Sequence, residues 1–251
     1  DPVASYVFKT PQKDSFAARK IFAEMQRQSI TTIAVASGND GFGKAGKEQL
    51  EKLAPEFSIR LALSETYDSK ATDLSALVAK MKANPAIQAV VNWSVAPAQA
   101  IIAKNMRQAN WRVPLFQSHG FGNIRYAEAA GAAAEGIIFP CGLLLVAESL
   151  PDTHPQKPLL MQYKTEYETL HKEEASAFGG YAYDALNMVA AAVRTGGTDR
   201  ARVRDALEGL RNFTGVGGVF SFSPTDHNGL DIDSFAMMTV KDGRFILYQE
   251  Q

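Results

Sequence analysis

Apolar residues recur along the chain in two alternating rhythms. Within Ser15–Gln28 they fall at Phe16, Ile21, Phe22 and Met25, one face of a helix. Thr31–Ala36 (TTIAVA) follows, a short β-rich run closed by the turn residues Gly38, Asn39, Asp40 and Gly41. The pattern then repeats, with a helix over Lys44–Leu53 and a strand over Ile59–Thr66. Thr72 is expected to cap a helix whose Leu74, Leu77, Val78 and Met81 share one face. A strand over Ala89–Trp93, a helix over Ala98–Ala109 and short strands over Pro114–Gln117 and Gly136–Phe139 complete the series.

Strands separated by helices predict right-handed crossovers and a parallel sheet covered on both faces. Ligands of such sheets bind outside the carboxyl ends of the strands. The loops Ser37–Gly43, Tyr67–Ala71, Trp93–Pro97, Ser118–Gly122 and Cys141–Leu144 are therefore the places to look for function.

After Leu144 the alternation stops. Lys157–His171, Ala177–Thr195 and Asp199–Leu210 read as three successive helices, entered past Pro151, Pro155 and Pro158. The Gly-rich stretch Thr214–Gly218 leads to a β-rich tail, in which Phe235–Val240 and Arg244–Tyr248 form a hairpin. Tyr163, Tyr167, Phe178, Tyr181, Met188 and Val193 on the three helices need an apolar cover, and the stretch offers no sheet of its own.

Composition narrows the classes. Hydrophobic side chains are 46% and charged ones 21%, the balance of a globular protein. Lys+Arg number 26 against Asp+Glu 27, a net charge of −1 that supplies no attraction to nucleic acid or to an anionic membrane surface. No apolar run approaches the roughly 20 residues that span a bilayer. Cys141, the single cysteine, has no internal disulfide partner and reads as a buried structural thiol. Asp1–Phe8 shows neither a basic nor an apolar leader region, which says nothing for or against export.

Gly41, Gly43 and Gly46 form a literal G-x-G-x-x-G that opens a helix after a strand, the pattern that cradles a dinucleotide pyrophosphate. Glu65, near the end of the next strand, could serve as the ribose acid. Against this, the strand ends near Ser37, several residues before the glycines, and no hydride-transfer partner follows. The histidines His119, His154, His171 and His227 lack metal-ligand spacing. His154, His171 and His227 read as surface or turn residues, whereas His119 sits in a post-strand loop. Phe42, between two glycines in a polar turn, has no periodicity that would bury it and reads as a ligand contact. Phe121 fits core and ligand site equally.

The motifs and their order resemble the type I periplasmic binding proteins of the leucine/isoleucine/valine-binding family. The matching pieces are NDGFGK (Asn39–Lys44), TDLSALVAKMKA (Thr72–Ala83), EGIIFP (Glu135–Pro140), FGGYAYDAL (Phe178–Leu186), VRDALE (Val203–Glu208), VGGVFSFSPTDHNG (Val216–Gly229) and VKDGRF (Val240–Phe245). The resemblance implies a two-lobed α/β fold with a parallel, Rossmann-like sheet in the C-terminal lobe. It assigns residues 8–140 and 214–251 to that lobe, and 1–7 and 141–213 to an incomplete N-terminal lobe whose missing sheet would cover the three helices. Possible self-association of such a chain follows from the same uncovered face.

The resemblance also implies a substrate-binding component of an ABC importer, working outside the cytoplasm with a membrane permease. It would hold a small organic ligand between the lobes, without cofactor, metal or catalysis. The family's ligand contacts fall on Phe42, on Trp93, Ser94 or Val95, on His119 and on Phe178. His119 stands where the family carries an acid for the ligand ammonium. An aromatic or apolar carboxylic acid is therefore favoured, with a branched-chain amino acid second. A nucleotide-dependent enzyme built on Gly41, Gly43 and Gly46, or the ligand-sensing domain of a receptor, are the alternatives.

Overall fold

The computed structural model describes residues 3–249. The chain runs through α1 (Asp14–Arg27), β1 (Thr32–Gly38), α2 (Gly41–Leu53), β2 (Arg60–Tyr67), α3 (Ser75–Lys82), β3 (Ala89–Trp93), α4 (Ala98–Gln108), β4 (Leu115–Gln117), α5 (Ile124–Ala130) and β5 (Ile138–Cys141). It continues with α6 (Lys157–His171), α7 (Ala177–Gly196), α8 (Arg200–Glu208), β6 (Phe213–Thr214), β7 (Val219–Phe220), β8 (Ala236–Lys241) and β9 (Arg244–Leu247).

These elements divide into two units. The first joins the residues up to Lys13 to Gly142–Phe235, and the second joins Asp14–Cys141 to the tail from Ala236. The expected breaks near residues 8, 140 and 214 thus move to Lys13/Asp14, Cys141/Gly142 and Phe235/Ala236. Residues 214–235 stay with the first unit for a physical reason. The Asp184 carboxylate on α7 accepts the backbone N–H groups of Val216 and Gly217, both at 2.7 Å. The side-chain amides of Gln12 and Gln156 donate to the carbonyls of Gly217 and Gly215, both at 2.9 Å. Beyond this loop, Phe220, Phe222 and Leu230 complete an apolar cluster with Met188, Ala192 and Leu207.

In the second unit, seven strands form one sheet in the order β2-β1-β3-β4-β5-β8-β9. β1 to β5 are mutually parallel, and β8 and β9 close the edge antiparallel. β3 (AVVNW) is buried along its whole length, as a parallel strand covered on both faces must be. The registers Ser37↔Trp93 and Asn92↔Gln117 bring the carboxyl ends of β1, β3 and β4 side by side.

Local chemistry explains two departures from the sequence pattern. α3 begins at Ser75 without a side-chain cap at Leu74, so Thr72 does not cap it. Asp73 takes the Ser75 N–H at 2.9 Å, and the Leu74 N–H donates to Asn105 Oδ1 at 2.7 Å. α5 was not expected at all, and Asn123 starts it by accepting the Arg125 N–H.

The first unit carries the three successive helices as expected, with a two-stranded ribbon of β6 and β7. Tyr163, Leu160, Leu144, Ala147, Leu150 and Val216 make a further apolar cluster there. Tyr163, Tyr181 and Met188 are buried, while Phe178, Leu170, Leu186 and Val189 remain exposed. His227, expected at the surface or in a turn, lies in a bend but not at the surface. It is buried and stacks on Phe8 at 4.0 Å, with Nδ1 3.2 and 3.0 Å from the carbonyl oxygens of Ala4 and Val7 and Nε2 3.1 Å from Glu208 Oε1. Cys141 and Phe121 are buried in the second unit, Phe121 edge-on to Phe139 and Phe245. Among the described residues no helix is long and apolar enough to cross a membrane.

Candidate ligand site

The loop after β1 begins with a cap. Asp40 Oδ1 accepts the Gly43 N–H at 2.8 Å, and Oδ2 accepts the Ser69 hydroxyl at 2.7 Å. Burial works to raise the Asp40 pKa, but the bonds from Gly43, Ser69 and the Phe42 N–H outweigh it and hold the carboxyl below its ordinary value. A negative charge therefore already occupies the helix N-terminus where a pyrophosphate would lie.

Two glycines of the G-x-G-x-x-G pattern have another explanation. A Cβ on Gly43 would stand 2.0 Å from the Gly38 carbonyl oxygen, and one on Gly46 would stand 2.0 Å from Trp93 Nε1. Gly43 lets α2 lie against the end of β1, and Gly46 makes room for the indole.

With α2 seated this way, Phe42 meets two further rings. Its centroid is 5.9 Å from Trp93 and 5.2 Å from His119, and Trp93 and His119 are 5.7 Å apart. Gly120 permits the closeness, because a Cβ there would meet Ser94 O at 2.4 Å and the Phe42 ring at 3.1 Å. Ser118 ties the loops after β3 and β4 together, donating its hydroxyl to Ser94 O at 3.2 Å. Tyr126 adds a second tie, donating to Val95 O at 2.7 Å. Asp14, the first residue of α1, holds His119, with its Oδ1 3.4 Å from Nε2.

Beneath the rings lies a buried polar chain. The Tyr67 hydroxyl donates to Asn92 Oδ1 at 2.8 Å, and Asn92 Nδ2 donates to Gln117 Oε1 at 2.7 Å. Gln117 Nε2 then donates to Gln99 O at 3.1 Å. Burial pushes the Tyr67 hydroxyl up to about 12, so it stays a neutral donor.

Five of the six expected contact residues thus come together at the carboxyl ends of β1, β3 and β4. Trp93, Ser94 and His119 form the buried base, and Phe42 and Val95 are half-buried. Phe178 lies in the first turn of α7, in the first unit, exposed and 6.4 Å edge-on from Tyr181. Sequence reasoning missed Asp14 and Gly120. Gly120 follows His119 directly and could have been read as a close approach; Asp14 carried no such signal. Among the described residues, no group of three or more His, Cys, Asp or Glu could hold a metal ion.

A mostly parallel sheet with an antiparallel edge, within this chain's order of elements, is the type I periplasmic binding protein fold. The sequence matches the family described as periplasmic binding protein over residues 1–244, and the chain belongs to that family. The leucine-, isoleucine-, valine-, threonine- and alanine-binding protein of Pseudomonas aeruginosa is 24% identical over 205 residues, which is 80% of this chain and 52% of that protein. The chain spans about half the length of this curated relative.

A solved protein of Rhodopseudomonas palustris strain CGA009 superposes with a TM-score of 0.92 at 23% identity, covering 99% of this chain and 73% of that one. An extracellular ligand-binding receptor from Rhodopseudomonas palustris HaA2 gives 0.91 at 22% identity, covering 97% and 70%. The branched-chain amino acid transporter substrate binding protein of Streptococcus pneumoniae, solved with isoleucine, gives 0.80 at 23% identity, covering 96% and 66%. The Pseudomonas and Streptococcus relatives are named as binding proteins, and the family works outside the cytoplasm.

Proposed function

We propose that the chain captures a small organic ligand as the substrate-binding component of an ABC importer, delivering it to a membrane permease from the periplasm or another extracytoplasmic space. On this reading it performs no catalysis. The observation that carries the proposal is the triangle of Phe42, Trp93 and His119 at the carboxyl ends of parallel strands, where the fold class binds ligands. The half-buried Phe42 ring beside the imidazole, with the buried Trp93 packed against both, suits a flat apolar body bearing an oxygen that accepts a hydrogen bond. The half-buried Val95 shapes the adjoining wall beside the buried Ser94.

The favoured ligand is an aromatic or apolar carboxylic acid, because an imidazole N–H pairs with a carboxylate and not with an ammonium. Branched-chain amino acids, the ligands in the names of two relatives, rank second. Thermal-shift screening decides between them, with benzoates and phenylacetates in one set and leucine, isoleucine and valine in the other. The aromatic acids should give the larger shifts. Larger shifts from the amino acids would overturn the ligand assignment, and tight binding of NAD(H) or NADP(H) would overturn the functional class.

A further inference from the structure

β4 and β5 are paired at a single register point, Phe116 with Ile138. On the amino side of that point a cavity of about 710 Å³ opens within the second unit, at the opposite end of the sheet from the ring triangle. Sites for small molecules occupy about 300–1,000 Å³. Leu115, Ile137 and Ile246 give the cavity an apolar lining, and the half-buried Trp111 adds an aromatic wall.

Its charge is one-sided. Arg107, Arg112 and Lys241 all line it, against the single carboxylate of Glu135. Arg107 donates to a carbonyl, Ala132 O at 3.0 Å, and Arg112 donates to an amide, Asn110 Oδ1 at 3.2 Å. Glu135 itself accepts the Asp242 N–H at 3.0 Å. Among the described residues none of the three cations forms an ion pair. Like charges gathered round one cavity repel, and an anion placed among them removes that cost.

We propose that this cavity binds a small amphipathic organic anion, a carboxylate, sulfonate or phosphate on an aromatic or aliphatic body, independently of the ligand site at the other end of the sheet. The acid group meets the three cations and the apolar body lies on Trp111 and the aliphatic lining. A bound anion of this kind stabilises the second unit by mass action.

The test uses two probes with the same ring system and opposite charge, naphthalene sulfonate and naphthylmethylammonium. The protein has 2 tryptophans, so nitrogen-labelled protein gives two indole N–H signals that Trp111→Phe assigns. The sulfonate should move the Trp111 signal in a saturable way while the ammonium leaves it in place. R112E/K241E should weaken the sulfonate by about tenfold, the effect of losing two solvent-exposed charge contacts. Both side chains are exposed, and R112Q/K241Q serves as the milder pair should the reversal unfold the protein. Equal binding of the two probes, full affinity in the charge variants, or no response at Trp111 would each overturn the proposal. A sulfonate that moved only Trp93 would place the anion among the rings of the ligand site instead.

Discussion

Asp14 Oδ1 stands 3.4 Å from His119 Nε2, joining the first residue of α1 to the loop that follows β4. A carboxylate at a helix N-terminus is favoured by the helix dipole. The contact restrains how the imidazole lies against Phe42 and Trp93. His119→Ala should weaken the ligand found by thermal-shift screening by about 1–3 kcal/mol, the cost of leaving a buried ligand oxygen unpaired. Asp14→Ala, which removes this contact and keeps the ring, should cost less, and calorimetric titration measures both. Wild-type affinity in Asp14→Ala would separate this contact from ligand recognition.

Gly43→Ala tests the close approach of α2 to β1. Its Cβ would lie 2.0 Å from the Gly38 carbonyl, a backbone atom that cannot swing aside. Such overpacking costs about 1–3 kcal/mol or more. The urea midpoint of the variant should fall, while Gly41→Ala, with open space around its Cβ position, should leave it nearly unchanged.

Asp184 predicts a pH dependence. Burial raises its carboxyl from 3.8 to about 6, against the lowering pull of the Gly217 and Val216 N–H groups. A raised native pKa means the folded state holds the proton more tightly than the unfolded chain. The corresponding stability is fully present below about 3.8 and is lost as pH rises through about 6. Urea midpoints measured on both sides of this window should show that fall. Asp184→Asn should lack it, and should be less stable because its amide group faces one of the two backbone donors.

The exposed side of α7 carries a prediction about association. Leu186 and Val189, three residues apart on one helix face, are 71% and 45% exposed, and Leu170 on α6 is 75% exposed. Sedimentation velocity should show concentration-dependent self-association of the chain, reduced in L186E/V189E. A wild-type chain that stayed monomeric at high concentration would remove this expectation.

The parallel sheet was legible because each strand is a short apolar run bounded by turn residues, and Ala89–Trp93 matches β3 residue for residue. The gathering of Phe42, Ser94, Val95 and His119 was legible for a related reason. Strand ends in register make neighbours of loops that are far apart in sequence. Contacts that depend on a distant segment were not legible. His227 looks like a turn residue until Phe8 stacks on it, and nothing around Asp14 announces His119 as its partner. α5, IRYAEAA, is too short to establish a period, and its start rests on a single asparagine cap. The break at Phe235/Ala236 could not be placed from Thr214–Gly218 alone, because the bonds from Asp184, Gln12 and Gln156 that retain the glycine-rich loop come from other parts of the chain.

Gly46 gives the ring triangle a point of adjustment outside the three rings. A methyl group added there would press on Trp93 Nε1 and Cδ1, at 2.0 and 2.2 Å. The indole packs against both Phe42 and His119, so a shift that relieved the conflict would reach both rings. Position 46 therefore governs the spacing of the triangle, which a substitution there would change while Phe42, Trp93 and His119 themselves stayed the same.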